Sequence, residues 1–198
     1  MFPLTLPDTR TLDLPTRWGE VTLGQAARLA ELPDGADVYS FLSVLLNLSP
    51  VEVMNLPAAF VDEQLLPVLG FSSDEMPEFG SAPLPPSLIL PFEFGQRQLP
   101  VPSALDIVTF GQATDLGAVL QDATMPVPQK RLRALAIVFY PAYVRGDYDS
   151  DAIDAFAADV CSHALLEDAL PITDFFFCAV RGHPSRPPRP AQAHPPQR

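Results

Sequence analysis

The same helix opening occurs twice in this chain. Residues 21–29 read VTLGQAARL, residues 108–116 read VTFGQATDL, and six of the nine positions are identical. In both copies a Thr is followed three residues later by a Gln. This is the spacing of a capping box, in which the Thr hydroxyl accepts from the third helical residue and the Gln reaches back to the Thr N–H. The repeat predicts helices that begin at Thr22 and Thr109. A duplicated helical hairpin explains it, and a chance resemblance of two helix starts is the alternative.

The stretches around each copy favour further helices. Apolar periodicity, Pro near helix starts and Gly or Pro near helix ends carry these predictions. Two beginnings are open for the helix of the second copy, because the sequence before Thr109 is itself compatible with a helix from Ser103. The predicted helices span residues 22–32, 36–48, 50–55, 58–69 (ended by Gly70), 103 or 109 to 121, 128–140, 149 or 150 to 166, and a last one that begins at Pro171.

The remaining segments are predicted to be extended or irregular. Residues 1–17 alternate Leu with Pro, Asp, Thr and Arg, which favours an extended arm with a short strand at most. Residues 71–86 form a polar, Pro-rich connector. Residues 87–101 (SLILPFEFGQRQLPV) predict a β-hairpin whose tight turn is opened by Gly95. Residues 183–198 are rich in Pro and Arg, which is typical of a flexible tail.

Together these elements predict a mainly α protein of the α+β class. The expected architecture is a helical bundle of two similar helical units with an inserted β-hairpin, an extended N-terminal arm and a Pro-rich C-terminal tail. A chain of 198 residues with 47% hydrophobic residues is long enough to bury a sizeable core. The predicted boundaries are the arm at 1–17, a single mainly helical domain at 18–182 (first unit 18–70, linker and hairpin 71–102, second unit 103–182) and the tail at 183–198.

The charge distribution argues against several classes of partner. The chain has 12 basic and 24 acidic residues, and four of the Arg residues lie in the last eighteen positions, so the body has eight basic residues against 24 acidic ones. Such a body repels phosphate backbones, because nucleic-acid affinity comes largely from Lys and Arg. No apolar run approaches the roughly 20 residues of a membrane span, and the N-terminus lacks a signal-peptide pattern. We therefore expect no nucleic acid and no membrane as partner, a cytoplasmic location, and free thiols at Cys161 and Cys178.

The sequence contains no recognisable catalytic or metal-binding motif. Cys161 and His163 are two residues apart in a predicted helix and so lie on different faces, which indicates a core thiol and a surface imidazole. The acidic run at 147–151 (DYDSD) has the first three positions of an EF-hand loop but lacks the later Gly and Glu, so helix capping explains it better. The patterns of phosphate-binding loops are missing as well. We therefore expect a protein that is not an enzyme and has no cofactor and no metal.

Five Phe residues are the candidate partner-binding residues. Phe92 and Phe94 lie in the predicted hairpin, and Phe175, Phe176 and Phe177 follow one another in the last predicted helix. Consecutive helical residues are about 100° apart, so the last three cannot all face one core. An exposed apolar patch of this kind indicates an interaction surface, and a second packing layer is the alternative.

Four stretches together resemble a known class of protein: W..VTLGQ from Trp18, DIVTFGQATDL, LAIVFYPAY and DFFFCAV. Over residues 18–182 they are similar to small virion-morphogenesis proteins of tailed bacteriophages, and most of all to tail assembly chaperones. The resemblance implies a non-enzymatic, helical, acidic protein that coats the hydrophobic helices of the tape-measure protein in the host cytoplasm until tail subunits polymerise around it. It transfers no functional residues, since that family has no sharp site motif.

The predicted arm and hairpin favour a second interpretation. They suit a structural virion protein of the head–tail connector or tail ring, which exchanges extended segments with its neighbours in a closed ring. Its partners would be neighbouring ring subunits, and its location would be the virion. A homo-oligomer is compatible with both interpretations.

Overall fold

The structure is a computed structural model, and it describes residues 1–73, 82–103 and 108–180. Within these ranges the protein is mainly helical and contains two small antiparallel β-hairpins, which confirms the predicted class at this level. Part of the predicted connector at 71–86 and the whole predicted tail at 183–198 lie outside the described residues.

The N-terminal segment is a β-hairpin and not the extended arm that the sequence predicts. Strand β1 (Phe2–Thr5) pairs antiparallel with strand β2 (Thr11–Leu14). Leu4, Leu6 and Leu14 are buried in the core. The alternation of Leu with polar residues therefore places one side of a hairpin on the core, as the two-residue period of a strand requires.

The predicted second hairpin is confirmed, but its turn lies earlier than predicted. Strand β3 (Ser87–Phe92) pairs antiparallel with strand β4 (Gly95–Pro100). The two turn residues are Glu93 and Phe94, and Glu93 has a φ of 43°. A positive φ at the first turn residue alone is the pattern of a type II′ turn, a position that favours Gly. Gly95 begins β4, so the prediction that it opens the turn is wrong.

Short helices connected by tight turns form most of the remaining described structure. Single 3₁₀ turns lie at Trp18–Glu20, Ser150–Ala152 and Cys161–His163. The helices are α1 (Leu23–Ala30), α2 (Val38–Leu46), α3 (Pro50–Met54), α4 (Ala58–Phe60), α5 (Leu66–Val68), α6 (Phe110–Gln121), α7 (Val127–Val144), α8 (Ile153–Asp159) and α9 (Leu166–Val180), with a π-helical turn at Val61–Leu65 joining α4 to α5.

Several predicted helix boundaries differ from the structure. Helix α8 ends at Asp159 and does not reach residue 166, because Val160 leaves the helical region with a φ of −121°. Helix α9 begins at Leu166, so Pro171 lies inside that helix, where it is buried, and not at its start. The helix predicted to end before Gly70 does end there, since α5 stops at Val68 and a 3₁₀ turn follows at Leu69–Ser73. At Pro171, burial in the core overrides a local propensity of about 3 kcal/mol.

Helix α7 is the centre of the fold. Six consecutive residues, 134–139, are buried. The helix packs against α1, α6, α8, α9 and β4. A helix that is buried over six consecutive residues is enclosed on all its faces, as expected of a core helix.

Candidate partner-binding surface

Aromatic and hydrogen-bonded contacts fix the β3–β4 hairpin to α7. The rings of Phe92 and Tyr143 meet edge to face with centroids 5.6 Å apart, and the Arg97 guanidinium lies 3.3 Å from the Phe92 centroid. The Tyr143 hydroxyl donates to the Pro91 carbonyl at 2.8 Å, and Arg97 donates to the Tyr143 carbonyl. Phe92 is therefore half-buried in an internal contact, whereas Phe94 at the turn is fully exposed.

The three consecutive Phe residues of α9 point in different directions, as helical geometry predicts. Phe176 is fully buried, with its ring centroid 6.4 Å from that of Phe139, so it belongs to the core and not to a surface. Phe175 and Phe177 are half-buried, and the Arg131 guanidinium lies 5.5 Å from the Phe177 centroid. Packing against the body therefore accounts for this group. Of the five candidate Phe residues, Phe94 alone is fully exposed to solvent.

A further exposed aromatic ring, missed by the sequence analysis, lies at the start of α6. Phe110 is the first residue of this helix and is 89% exposed. Leu23 has the same place in the first copy of the repeat and is 1% exposed. The repeat already indicated this position, because the residue after the capping Thr is apolar in both copies.

Both predicted capping boxes are present. The Gln25 N–H donates to the Thr22 hydroxyl at 3.1 Å, and the Thr22 N–H donates to Gln25 Oε1 at 2.9 Å. The corresponding distances between Gln112 and Thr109 are 3.3 Å and 2.9 Å. Of the two predicted beginnings of α6, the structure therefore has the one at the Thr109 cap.

Each capping-box Gln also makes a third hydrogen bond, to the following helix. Gln25 Nε2 donates to the Leu45 carbonyl at 2.9 Å, and Gln112 Nε2 donates to the Ile137 carbonyl at 2.7 Å. Leu45 lies in the last turn of α2, where carbonyls have no helical donor. The Ile137 carbonyl has none either, because its donor would be Pro141, which lacks an N–H. The Gln112 amide satisfies this carbonyl, so α7 continues through Pro141 beyond its predicted end.

The chain itself covers the first helix opening. Thr22 and Leu165 form an isolated antiparallel β-bridge directly before α1 and α9 begin. The Leu23 N–H donates to the Ala164 carbonyl at 2.8 Å, and the Leu166 N–H donates to the Val21 carbonyl at 2.9 Å. This short bridge precedes α9 directly, so the covering segment leads into a helix.

Cys161, His163 and the acidic run at 147–151 have structural roles in the fold. Cys161 is buried and His163 is exposed, which confirms the interpretation as a core thiol and a surface imidazole. Burial raises the pKa of the Cys161 thiol, so it stays protonated. The Asp149 carboxylate accepts from the Asp151 N–H at 3.0 Å and caps the 3₁₀ turn before α8, as the capping interpretation of that acidic run predicts.

A cleft of about 280 Å³ lies between α6 and α7, and Tyr148 is one of the residues that line it. The Tyr148 hydroxyl donates to the Asp115 carboxylate at 2.5 Å. Burial and, after it, this carboxylate raise the pKa of Tyr148. Within residues 1–73, 82–103 and 108–180, no three His, Cys, Asp or Glu side chains are grouped so that they could hold a metal ion. No helix in the same ranges has the length and apolar character of a membrane span.

No protein-family model, no curated protein and no solved structure matches this chain.

Proposed function

We propose that this protein is a non-enzymatic phage tail assembly chaperone that binds the tape-measure protein in the host cytoplasm during tail morphogenesis. The observation that supports it most is the presence of large apolar side chains in water on a strongly acidic body. Phe94 is fully exposed and Phe110 is 89% exposed, while the body has eight basic residues against 24 acidic ones. Exposed aromatic rings favour association, and excess charge of one sign keeps such a protein soluble. A protein that holds apolar helices before assembly needs both properties.

The proposal includes two similar helical units. The first contains the pair α1 and α2, and the second contains the pair α6 and α7. Three features support their likeness: the shared capping box, the shared third hydrogen bond of the Gln, and the close approach of another chain segment to Gly24 and Gly111. Two similar units suit a partner such as the tape-measure protein, which presents one apolar helix after another.

The alternative is a structural virion protein of the head–tail connector or tail ring. That interpretation depends on extended segments exchanged between subunits. The N-terminal segment closes on its own chain as β1 and β2, with Leu4, Leu6 and Leu14 in the core, which weighs against such an exchange. The exposed tip of the β3–β4 hairpin, at Phe94, is the observation that favours the alternative.

Mass spectrometry of purified virions and of the infected-cell lysate tests the proposal. The peptide to follow is GDYDSDAIDAFAADVCSHALLEDALPITDFFFCAVR, which a cut after each Arg releases as residues 146–181. Abundance in the lysate with absence from the particle is expected of a chaperone. A fixed copy number in the particle would contradict it and would support the connector or ring protein.

A further inference from the structure

The two copies of the helix opening differ in what covers them. In the first copy, residues 164–166 form two backbone hydrogen bonds with residues 21–23, and Leu23 is 1% exposed. In the second copy the equivalent residue, Phe110, is 89% exposed. Within the described parts of the chain, no backbone hydrogen bond reaches the Phe110 N–H or the Val108 carbonyl. In the described residues, the second copy thus lacks the backbone cover that residues 164–166 give to the first.

The covering of the second copy is partial. A Cβ at Gly24 would lie 2.9 Å from the Ser162 carbonyl oxygen, and a Cβ at Gly111 would lie 3.2 Å from the Tyr148 ring. Tyr148 therefore has the place beside the second copy that Ser162 has beside the first. The hydrogen bond to Asp115 holds the Tyr148 side chain there. The open part of the edge is the part that corresponds to residues 164–166.

The first copy shows what chemistry fits the open part. Its cover consists of Ala164 and Leu165, which precede α9, and of Leu166, the first residue of that helix. The Ala164 carbonyl accepts from the Leu23 N–H, and the Leu166 N–H donates to the Val21 carbonyl. In this copy the residue after the capping Thr, Leu23, is 1% exposed.

We propose that residues 108–110 form a docking edge for a partner segment of apolar residues that pairs with the edge through its main chain and continues directly as a helix. The partner donates one N–H to the Val108 carbonyl, accepts from the Phe110 N–H, and buries the Phe110 ring. This inference deepens the proposed function and rests on it for the biological partner, since it assigns to one edge the capture of an apolar helix start. Main-chain bonds supply the register, and the aromatic ring supplies apolar contact.

A peptide with the sequence of the natural cover tests the proposal on the full chain. The probe is a synthetic peptide of residues 161–173 with C161S and an N-terminal fluorophore, titrated at physiological ionic strength and followed by anisotropy. We expect saturable binding of one peptide per chain, because the edge of the first copy already has its own segment at high effective concentration. Phe110→Ser is expected to weaken binding about tenfold, as loss of a buried aromatic side chain implies. Met54→Ser is the control, since Met54 is an exposed apolar residue of α3 outside the edge, and it should leave the affinity unchanged.

Methylation of single backbone nitrogens in the peptide tests the hydrogen bonds. The Leu166 N–H donates in the first copy, so its methylation should abolish binding. Methylation at Leu165 is the control, because its N–H does not take part in the bridge, and this peptide should still bind. Melting temperatures of both protein variants equal to that of the wild type establish that they fold.

Three outcomes would overturn the docking edge. They are the absence of saturable binding to the wild-type protein, binding that Met54→Ser weakens and Phe110→Ser does not, and equal loss with both methylated peptides. None of these results bears on whether the protein is in the virion. Failure of the docking edge and failure of the chaperone proposal are therefore distinguished by separate measurements.

Discussion

At the scale of single residues, Gln112 joins two helices through a buried side-chain amide. It is 4% exposed, and its amide pairs with the Thr109 N–H and with the Ile137 carbonyl. Gln112→Ala is expected to lower the free energy of unfolding by about 2 to 3 kcal/mol, because it leaves a buried carbonyl unpaired. Chemical denaturation measures this change. Gln121→Ala, at an exposed position of the same helix, is the control and should stay within about 0.5 kcal/mol of the wild type.

A double-mutant cycle isolates the role of Pro141. Pro141→Ala supplies an N–H that can donate to the Ile137 carbonyl, so the carbonyl no longer depends on Gln112. In this background Gln112→Ala should cost about 1 kcal/mol less than in the wild type. An equal cost in both backgrounds would contradict the interpretation that Gln112 compensates for the missing proline donor.

Glu20 makes the stability of the N-terminal hairpin depend on pH. The Met1 α-amino group lies 2.8 Å from its carboxylate, and the Thr16 N–H donates to it at 3.0 Å. These contacts, the amino group first, lower the pKa of Glu20 from 4.5 to about 2 against partial desolvation. Since the folded pKa lies below the unfolded one, the stabilisation is complete above about pH 4.5 and is lost as the pH falls toward 2.

We expect Glu20→Gln to lower the free energy of unfolding by about 1 to 2 kcal/mol at pH 7, because a charge-assisted contact becomes neutral. Near pH 2 the variant and the wild type should be equally stable. Asp13→Asn, at an exposed position of β2, is the control and should change little at either pH. Urea denaturation at both pH values measures the difference, and a difference that persists at pH 2 would refute the assignment.

At the scale of elements, the start of α1 lies against the 3₁₀ turn Cys161–His163 so closely that only Gly fits. A Cβ at Gly24 would meet the Ser162 Cβ at 2.7 Å and its carbonyl oxygen at 2.9 Å, whereas a Cβ at Gly117 in α6 would meet nothing within 4 Å. Gly24→Ala should therefore destabilise the protein by about 1 to 3 kcal/mol. Gly117→Ala should stabilise it by about 0.5 to 1 kcal/mol through helix propensity. Thermal unfolding of the two variants measures both changes, and the same sign for both would contradict this packing.

At the scale of the whole molecule, the N-terminal hairpin completes the core of its own chain. We expect the melting temperature to be the same over a hundredfold range of protein concentration, because the hairpin is not shared between subunits. Leu4→Ala should lower the free energy of unfolding by about 2 to 5 kcal/mol, as a large-to-small change in a core does, and the loss should not vary with concentration. A melting temperature that rises with concentration would favour exchange of this segment in a ring.

Local chemistry in the sequence determined the features that depend on a few neighbouring residues. Thr22 with Gln25 and Thr109 with Gln112 specify helix starts, and the alternation in residues 87–101 specifies a hairpin, because these signals act within one turn or one strand pair. Cys161 is buried and His163 is exposed as predicted, although the helix predicted to contain them is a 3₁₀ turn in the structure.

Only the tertiary structure decided what each local element meets. Leu23 and Phe110 occupy equivalent places in one repeated motif, yet one is covered by residues 164–166 and the other is exposed. A burial difference of this kind arises from contacts between residues far apart in the chain, which periodicity does not encode. The continuation of α7 past Pro141 also depends on a distant residue. The Gln112 amide that donates to the Ile137 carbonyl belongs to a different helix, α6. The sequence thus determined how the helices begin, and packing decided which beginning stays open to a partner.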